Sequence, residues 1–523
     1  MCEFNVTGLC IPEKHYMVNI HSKIKQIKKL VDAQCYFTIN RARQYGKTTT
    51  LACLEKILED EYIVLSISFE GVGEGSFESQ EGFCPMFLRR IVRALEFTPV
   101  SKMYAQEWLN NNVSSFELLS DHITRMCKGK KVVLMIDEID KTSNNRVFIH
   151  FLGMLRDKYL ARNKGKDYTF HSVILAGVYD IKNIKLKMIN EGSYLPAPEE
   201  NKLYNSPWNI AASFKVDMSF NPREIAAMLN EYESDHHIGM DIMAIAEEIH
   251  NFTSGYPFLV SRICQCLDEE LDKNWTLQAV QQAVNIIINE QNMLFDDIFK
   301  NLESYKDLYD FVYSVLIMGE QINFVINDPL IGLGATFGFL KNTNGKVAIA
   351  NKIFEAAMTN YYVSKEYRLN PDKKITKVLP CDVVQNGKFD MELCLRKFAE
   401  HYAELFSERD IEFFERHGRL LFLSYLKPLI NGHGFYHIES QFTDLRRMDI
   451  VVDFGQEQFI IELKLWHGEH YKQEAYQQLL GYMVSKNVHT GYLLTFDFRR
   501  GRHKQPHVGW VDFEGKRIFD VVV

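Results

Sequence analysis

Apolar residues along this chain fall into runs of two lengths. YFTIN (36–40), YIVLSISF (62–69), KVVLMID (131–137) and HSVILAGV (171–178) have the length of strands. The last two are apolar almost throughout, as strands buried on both faces of a parallel sheet are. Between them, TTTLACLEKILED (48–60) and the material around 86–128 read as helices. Alternating strands and helices predict a doubly wound parallel sheet, an α/β domain over 1–220. From NPREIAAML (221–229) to about 290 the pattern turns helical, interrupted at TSGYPF (253–258). Residues 291–367 mix helices with short strands, and GFLKNTNGKVAIAN (338–351) reads as a hairpin turning at Asn342–Gly345. Residues 221–367 thus suit a helical lid followed by a winged-helix-like module. RLNPDKK (368–374) opens a polar linker over 368–380. A second α/β domain is expected over 381–523: a helix-like stretch at 390–429, strands at 435–442, 447–454 and 458–466, a helix at 470–486 and a strand at 491–498.

Composition sets limits on this picture. At 523 residues, with 46% hydrophobic and 24% charged residues, the chain is a globular protein of several domains. A formal net charge of -8 excludes a globally basic nucleic-acid binder. RRGRHK (499–504) is the one dense basic cluster, and a solvated loop is a simpler account of it than a DNA contact. MCEFNVTGLC has no secretory pattern, and no apolar run approaches the length of a membrane span. The ten cysteines are scattered, with Cys264 and Cys266 the one close pair, and read as reduced thiols. A cytoplasmic protein is expected, without a membrane partner.

RARQYGKTTT (41–50) lies between a strand and a helix. That is where a phosphate-binding loop presents backbone N–H groups and a helix N-terminus to an anion. Gly46 supplies the turn, Lys47 the charge for β/γ-phosphate oxygens and Thr48 the hydroxyl for Mg²⁺, with Thr49 following. The pattern G-x-x-x-x-G-K-[ST] has glycine where this chain has Arg41. VVLMIDEID (132–140) supplies the other half of the site. Asp137 ends a buried strand and can hold the Mg²⁺ shell, while Glu138 can polarise the attacking water. A solvated acidic turn is the rival reading of either motif taken alone.

NRARQYGKTTTL (40–51) resembles the bacterial AAA-ATPase-like proteins whose phosphate loop reads Arg-x-Arg-x-x-Gly-Lys. SGYPFLVSRI (254–263) resembles the Gly-x-Pro lid motif of the related STAND signalling ATPases. The resemblance runs from about 20 to 365 and implies ATP and Mg²⁺ as ligands. It also implies that Arg41, Arg43 or the lid adds charge that a standard loop does not need. Asp180, after the strand 171–178, stands where a sensor residue would, or is an exposed loop aspartate.

In the second domain Asp449 opens one strand, and Glu462 and Lys464 lie on the next, after the short turn GQEQ (455–458) that suggests an antiparallel hairpin. Residues i and i+2 of a strand share a face, so Glu462 and Lys464 point together. Carboxylates from adjacent strands make an oxygen site for Mg²⁺ or Mn²⁺, and the lysine can steady a scissile phosphate or its water. A bare E-x-K occurs on many exposed strands. Its weight here comes from Ile461, Leu463 and Leu465 around it and from Asp449 thirteen residues earlier. The stretch 390–500 resembles the PD-(D/E)xK nuclease domain, so a restriction-endonuclease-like α/β fold is expected. Asp449, Glu462 and Lys464 match its core signature, and Gln478 and Tyr482 match the RecB-like helix motif; Met448 replaces the proline. A helix carboxylate often completes such a set. Glu415 fills that place, with Glu412 nearby; Glu439 could serve instead, or pair with Arg446 or Arg447. The histidines, including His433, His437, His467 and His470, form no zinc spacing.

Three readings stay open. One is an ATP-hydrolysing protein coupled to metal-dependent cleavage of nucleic acid, with DNA as the expected partner and a homo-oligomer as an open option. The second is an ATP-driven switch whose nuclease-like domain binds nucleic acid or protein without cutting. The third is a nucleotide-binding regulator that barely hydrolyses ATP.

Overall fold

The computed structural model describes residues 2–523 apart from 98–101, 110–111, 143–145, 179–207, 319, 370–379, 386, 406–410, 431–433, 440–447, 456, 467–468, 487 and 498–506. The chain forms two compact units. One comprises Met1–Ile242, Gly255–Gln265 and Thr336–Gly338; the other comprises Met243–Ser254, Cys266–Ala335 and Phe339–Val523.

The first unit is built on a parallel sheet of β1 (Tyr36–Asn40), β2 (Ile63–Ser68), β3 (Val132–Asp137) and β4 (Ser172–Gly177), in the order β1-β4-β3-β2. Every residue of β3 and β4 is buried, which is why both read as unbroken apolar runs. Parallel neighbours require crossovers, and helices supply them. α1 (His21–Asp32) precedes β1, and the crossovers contain α2 (Lys47–Leu58), α3 (Gln80–Phe97), α4 (Ala105–Trp108), α5 (Phe116–Cys127) and α6 (Arg146–Asn163). Phe83, Phe87, Phe148 and Phe151 from α3 and α6 form an aromatic core over one face of the sheet. A single parallel rung between Phe37 and Ala212 extends the free edge of β1.

Helix α7 (Pro222–His236) starts where its sequence says it must. Asn221 accepts from the Glu224 N–H, the Glu224 side chain answers at the Asn221 N–H, and Pro222 needs no partner in the first turn. Gly255 then meets the backbone just ahead of this helix, where the Phe220 N–H donates to the Gly255 carbonyl at 2.8 Å. Its φ is +72°, and a Cβ there would stand 2.0 Å from the Phe220 carbonyl oxygen. Gly255→Ala combines left-handed strain with overpacking, an expected loss of about 2–5 kcal/mol that a denaturant midpoint would register.

In the second unit, helices Leu277–Asn289, Met293–Ser304, Lys306–Leu316 and Pro329–Thr336 lead into an antiparallel hairpin of β5 (Leu340–Thr343) and β6 (Lys346–Ile349). Asn344 and Gly345 turn it at φ 50° and 83°, the two left-handed residues a tight hairpin needs. A rung between Asn323 and Lys346 adds a third strand position beside this hairpin. A two-rung antiparallel pair, β7 (Val384–Gln385) and β8 (Lys388–Phe389), follows, and helix Lys352–Leu369 packs on helix Ile411–Ile430 and on β9 (Gly434–Glu439). Tyr436 of β9 donates to Asn360 at 3.3 Å, and the buried Arg419 donates to the Met318 carbonyl at 2.7 Å.

The remaining strands are β10 (Met448–Phe454), β11 (Glu457–Leu465), β12 (Thr490–Phe496), β13 (His507–Phe513) and β14 (Lys516–Val522). They join β9 in a mixed sheet of order β13-β14-β12-β11-β10-β9. The β10–β11 hairpin is antiparallel as expected, and β11, β12 and β14 run parallel. The helix-like stretch 390–429 resolves into Met391–Leu405 and Ile411–Ile430, and β13 and β14 have no counterpart in the sequence reading. Among the described residues no helix is long and apolar enough to cross a membrane.

Candidate functional site

In the first unit, β1 ends at Asn40 and α2 begins at Lys47. Between them the loop bends through Gln44 at φ 54° and Gly46 at φ 75°. No atom lies within 4 Å of where a Gly46 Cβ would be, so the turn is open above the helix N-terminus. Lys47 is only 7% exposed, and its Nζ donates to the carbonyls of Arg41 (3.0 Å) and Ala42 (2.9 Å). Burial pushes its pKa down, opposed by the charges of Asp140, Glu138 and Asp137.

The Thr48 hydroxyl donates to Asp137 Oδ2 at 2.8 Å, joining the loop to the end of β3. The other oxygen, Asp137 Oδ1, accepts from the Glu138 N–H at 2.9 Å. Glu138 has φ 56°, a left-handed backbone uncommon for a non-glycine residue. Its pKa is raised, first by burial and then by the neighbouring Asp137 charge. A hydroxyl and a carboxylate in contact form a hard-oxygen pair of the kind Mg²⁺ accepts, and Thr48 and Asp137 fit that ion.

The structure therefore brings Gly46, Lys47, Thr48, Asp137 and Glu138 together. Thr49 has a different engagement: its hydroxyl accepts from the Cys10 N–H at 3.2 Å and ties the N-terminal segment to α2. Arg41, in the place of the missing glycine, donates to the carbonyls of Asn40 and Val216, both at 2.8 Å, and lies over the Phe214 ring. Arg43 meets the lid through its backbone, where its carbonyl accepts from the Tyr256 hydroxyl, and Tyr45 packs edge-on to Tyr256 at 4.7 Å. Gly338 abuts Ala42: a Cβ on it would come within 2.5 Å of the Ala42 Cβ. Asp180 lies outside the described residues.

Sequence reading also missed a cavity of about 380 Å³ between residues 12–24, Cys53 and Ile57 of α2, and Glu231 of α7. Residues 12–20 have no periodicity that would have marked them.

In the second unit Asp449 pairs directly with Glu462 across β10 and β11, and with Glu439 across β10 and β9. The same row continues through Leu493 of β12 to Asp520 of β14. The Glu462 carboxylate is 0% exposed, forms an ion pair with Lys464, and accepts no hydrogen bond from the described residues. Lys464 Nζ also donates to Gln478 Oε1 at 2.9 Å, from helix α8 (Glu469–Ser485). Tyr482, one turn on, is buried with Ile460 and Leu479. Helix α8 is anchored a second time by Asp520, which was not foreseen: its Oδ2 accepts from the Tyr476 hydroxyl at 2.8 Å and meets Lys472 Nζ at 2.6 Å.

A buried carboxylate held by one ion pair and by no hydrogen bond keeps lone pairs for a hard cation, so Glu462 fits a divalent metal. The side chains of Asp449, Glu439, Glu412 and Glu415 lie outside the described residues, as does the basic cluster 499–504; Glu412 and Glu415 are placed only as positions on helix Ile411–Ile430. Among the described residues no three His, Cys, Asp or Glu side chains gather as a metal group.

A family model described as an AAA-like domain matches residues 12–356, and one described as the PD-(D/E)XK nuclease superfamily matches 435–506. No curated protein matches the chain. Among solved structures, a Walker-type ATPase of Pyrococcus abyssi is 12% identical, with 68% of this chain and 99% of that one covered and a TM-score of 0.44. The ORC2 protein of Aeropyrum pernix is 10% identical, with 66% and 93% covered and a TM-score of 0.32. A RuvB variant of Thermotoga maritima is 13% identical, with 68% and 95% covered and a TM-score of 0.31.

Proposed function

The chain belongs to the AAA-like domain family and carries a PD-(D/E)XK nuclease superfamily domain behind that region, and from this premise we propose that it binds and hydrolyses ATP and couples that cycle to metal-dependent cleavage of nucleic acid, with DNA as the substrate. The observation that carries the reading is the contact of Thr48 with Asp137, between the buried Lys47 and Glu138. Lys47 would leave the Arg41 and Ala42 carbonyls for the β/γ-phosphate oxygens, and Glu138 would hold the attacking water and take its proton. Mg²⁺, held by Thr48 and Asp137, would neutralise phosphate charge. The cavity beside residues 12–24 is our candidate for the nucleotide base. In the second domain Asp449 and Glu462 would hold Mg²⁺ or Mn²⁺, with Glu415 as a further ligand, and Lys464 would face the scissile phosphate. We further propose a cytoplasmic setting, in keeping with the thiol usage, and domain boundaries near 220 and 368–380.

The ATPase half is tested by Glu138→Gln. Binding of ATP should stay within about threefold of wild type while turnover falls at least about a hundredfold, the loss of a general base. Turnover in wild type should fall with acid at a pH above the ordinary carboxylate range. Glu138 has a raised pKa, so it gains its proton, and loses its role, earlier than a free carboxylate does as pH drops. Intact turnover in the Gln variant would remove Glu138 from the mechanism.

A second reading, an ATP-driven switch, is favoured by one specific feature. Tyr256 and Gly338 both abut the phosphate loop, so a change in that loop on binding nucleotide would be felt in the lid. ATP-dependent protection of the segment around Tyr256 from hydrogen exchange, without cleavage of any nucleic acid, would select this reading.

A further inference from the structure

The motif after β3 has a third acid, Asp140, whose charge acts on Lys47 but whose side chain is bonded elsewhere. It lies in a single 3₁₀ turn, Ile139–Thr142, directly behind Glu138. Asp140 Oδ2 accepts from the Val178 N–H at 2.6 Å, a charge-assisted bond to the first residue beyond β4. Gly177, the last residue of β4, lies against the same side chain. A Cβ there would stand 2.9 Å from Asp140 Oδ1 and 2.7 Å from Ile139 Cγ1. Only a residue without a side chain lets the two segments approach this closely.

We infer that Asp140 is a positioning residue for ATP hydrolysis. It ties the turn that carries Glu138 to Val178 at the end of β4, and so holds Glu138 where the terminal phosphate of ATP would meet it. This rests on the ATPase reading above. The physical case is that parallel strands present their C-terminal ends to the ligand, and the ends of β3 and β4 are adjacent. Ladder hydrogen bonds hold the two strands only as far as the sheet runs. Beyond it, the Asp140–Val178 bond is a side-chain continuation of that pairing. Without it the turn that carries Glu138 has one fewer constraint, and misplacement of a catalytic group costs rate more than binding.

The test uses the full-length protein with Asp140→Ala and Asp140→Asn, because asparagine keeps an oxygen that can accept the Val178 N–H. Steady-state turnover and calorimetric affinities for ATP and ADP are measured together. Asp140→Ala should lower kcat at least about tenfold, the rate equivalent of one lost hydrogen bond, with KM moved less than about threefold. Asp140→Asn should recover most of that loss. The preference for ATP over ADP should shrink in Asp140→Ala and return in Asp140→Asn, because only ATP has the phosphate that the turn carrying Glu138 would meet. A wild type that binds ATP and does not turn it over would overturn the hydrolysis reading and this role for Asp140 with it, whereas the variant outcomes that follow overturn the role of Asp140 alone. The inference is overturned if Asp140→Ala matches wild type in both readouts, if the Asn variant is as impaired as the Ala variant, or if affinity for ADP falls as far as that for ATP. Absence of nucleotide binding in wild type would overturn both readings together.

Discussion

Lys47→Ala should weaken ATP binding by about 1.5–3 kcal/mol, roughly 10- to 150-fold in Kd, the range for a hydrogen bond to a charged group. The effect is large because the Lys47 ammonium lies inside the loop at the head of α2, and Arg41 is not free to take its place. Arg41 is committed to the carbonyls of Asn40 and Val216 and to the Phe214 ring. The substitution also leaves the Arg41 and Ala42 carbonyls without the donor they now share. Stability without nucleotide should therefore fall modestly, by about 1–3 kcal/mol. Titration calorimetry separates the two consequences, since lost affinity in a protein that still unfolds cooperatively belongs to the site. Unchanged affinity would mean that the loop does not hold the phosphates.

The second large effect is expected at Glu462. Its carboxylate is fully buried and ion-paired with Lys464, and Asp449 is its register partner on the neighbouring strand. A divalent ion held there stabilises the fold by mass action, by about 2.7 kcal/mol at a hundred times its dissociation constant. Glu462→Gln should remove the shift in unfolding temperature that Mn²⁺ produces in wild type, and lower any nuclease rate at least about a hundredfold. Asp449→Asn should do the same. Lys464→Ala should keep the Mn²⁺ shift and lose most of the rate, because the lysine is bonded to Gln478 and serves the phosphate rather than the ion. The self-neutralised alternative, a Glu–Lys pair with no metal role, predicts an equal Mn²⁺ shift in wild type and in Glu462→Gln. That result, with no substrate cut, would leave the switch reading.

Local pattern determined most of the elements of this protein. Strands β3 and β4 of the first sheet were legible because strands buried on both faces must be apolar at consecutive positions. Helix α7 was legible because its N-terminal backbone donors are satisfied by residues within its own first turn. The β5–β6 hairpin was legible because Asn344–Gly345 is a turn that few other pairs can form. The candidate residues of both sites could be named for a related reason. Phosphate and hard-cation chemistry uses few residue types, and strand and helix periodicity keeps them in fixed relation along the chain.

Tertiary structure decided what depends on distant segments. Sequence reading ended its strands near residue 498, yet β14 lies between β12 and β13 and puts Asp520 on the row of Glu462. No periodicity reports which strand a terminal segment will join, because the backbone groups it pairs with are contributed by another part of the chain. The same holds for Tyr256 on the Arg43 carbonyl, Gly338 against Ala42, and Asp140 on the Val178 N–H. Each joins residues between 38 and 296 positions apart by a contact to backbone or to a small side chain. Such contacts ask little of composition at either end: a carbonyl is present at every residue, and a glycine or alanine is conspicuous only once its neighbour is known. Sequence determined which groups could carry the chemistry, because that depends on side-chain type. Folding decided which backbone each of them meets.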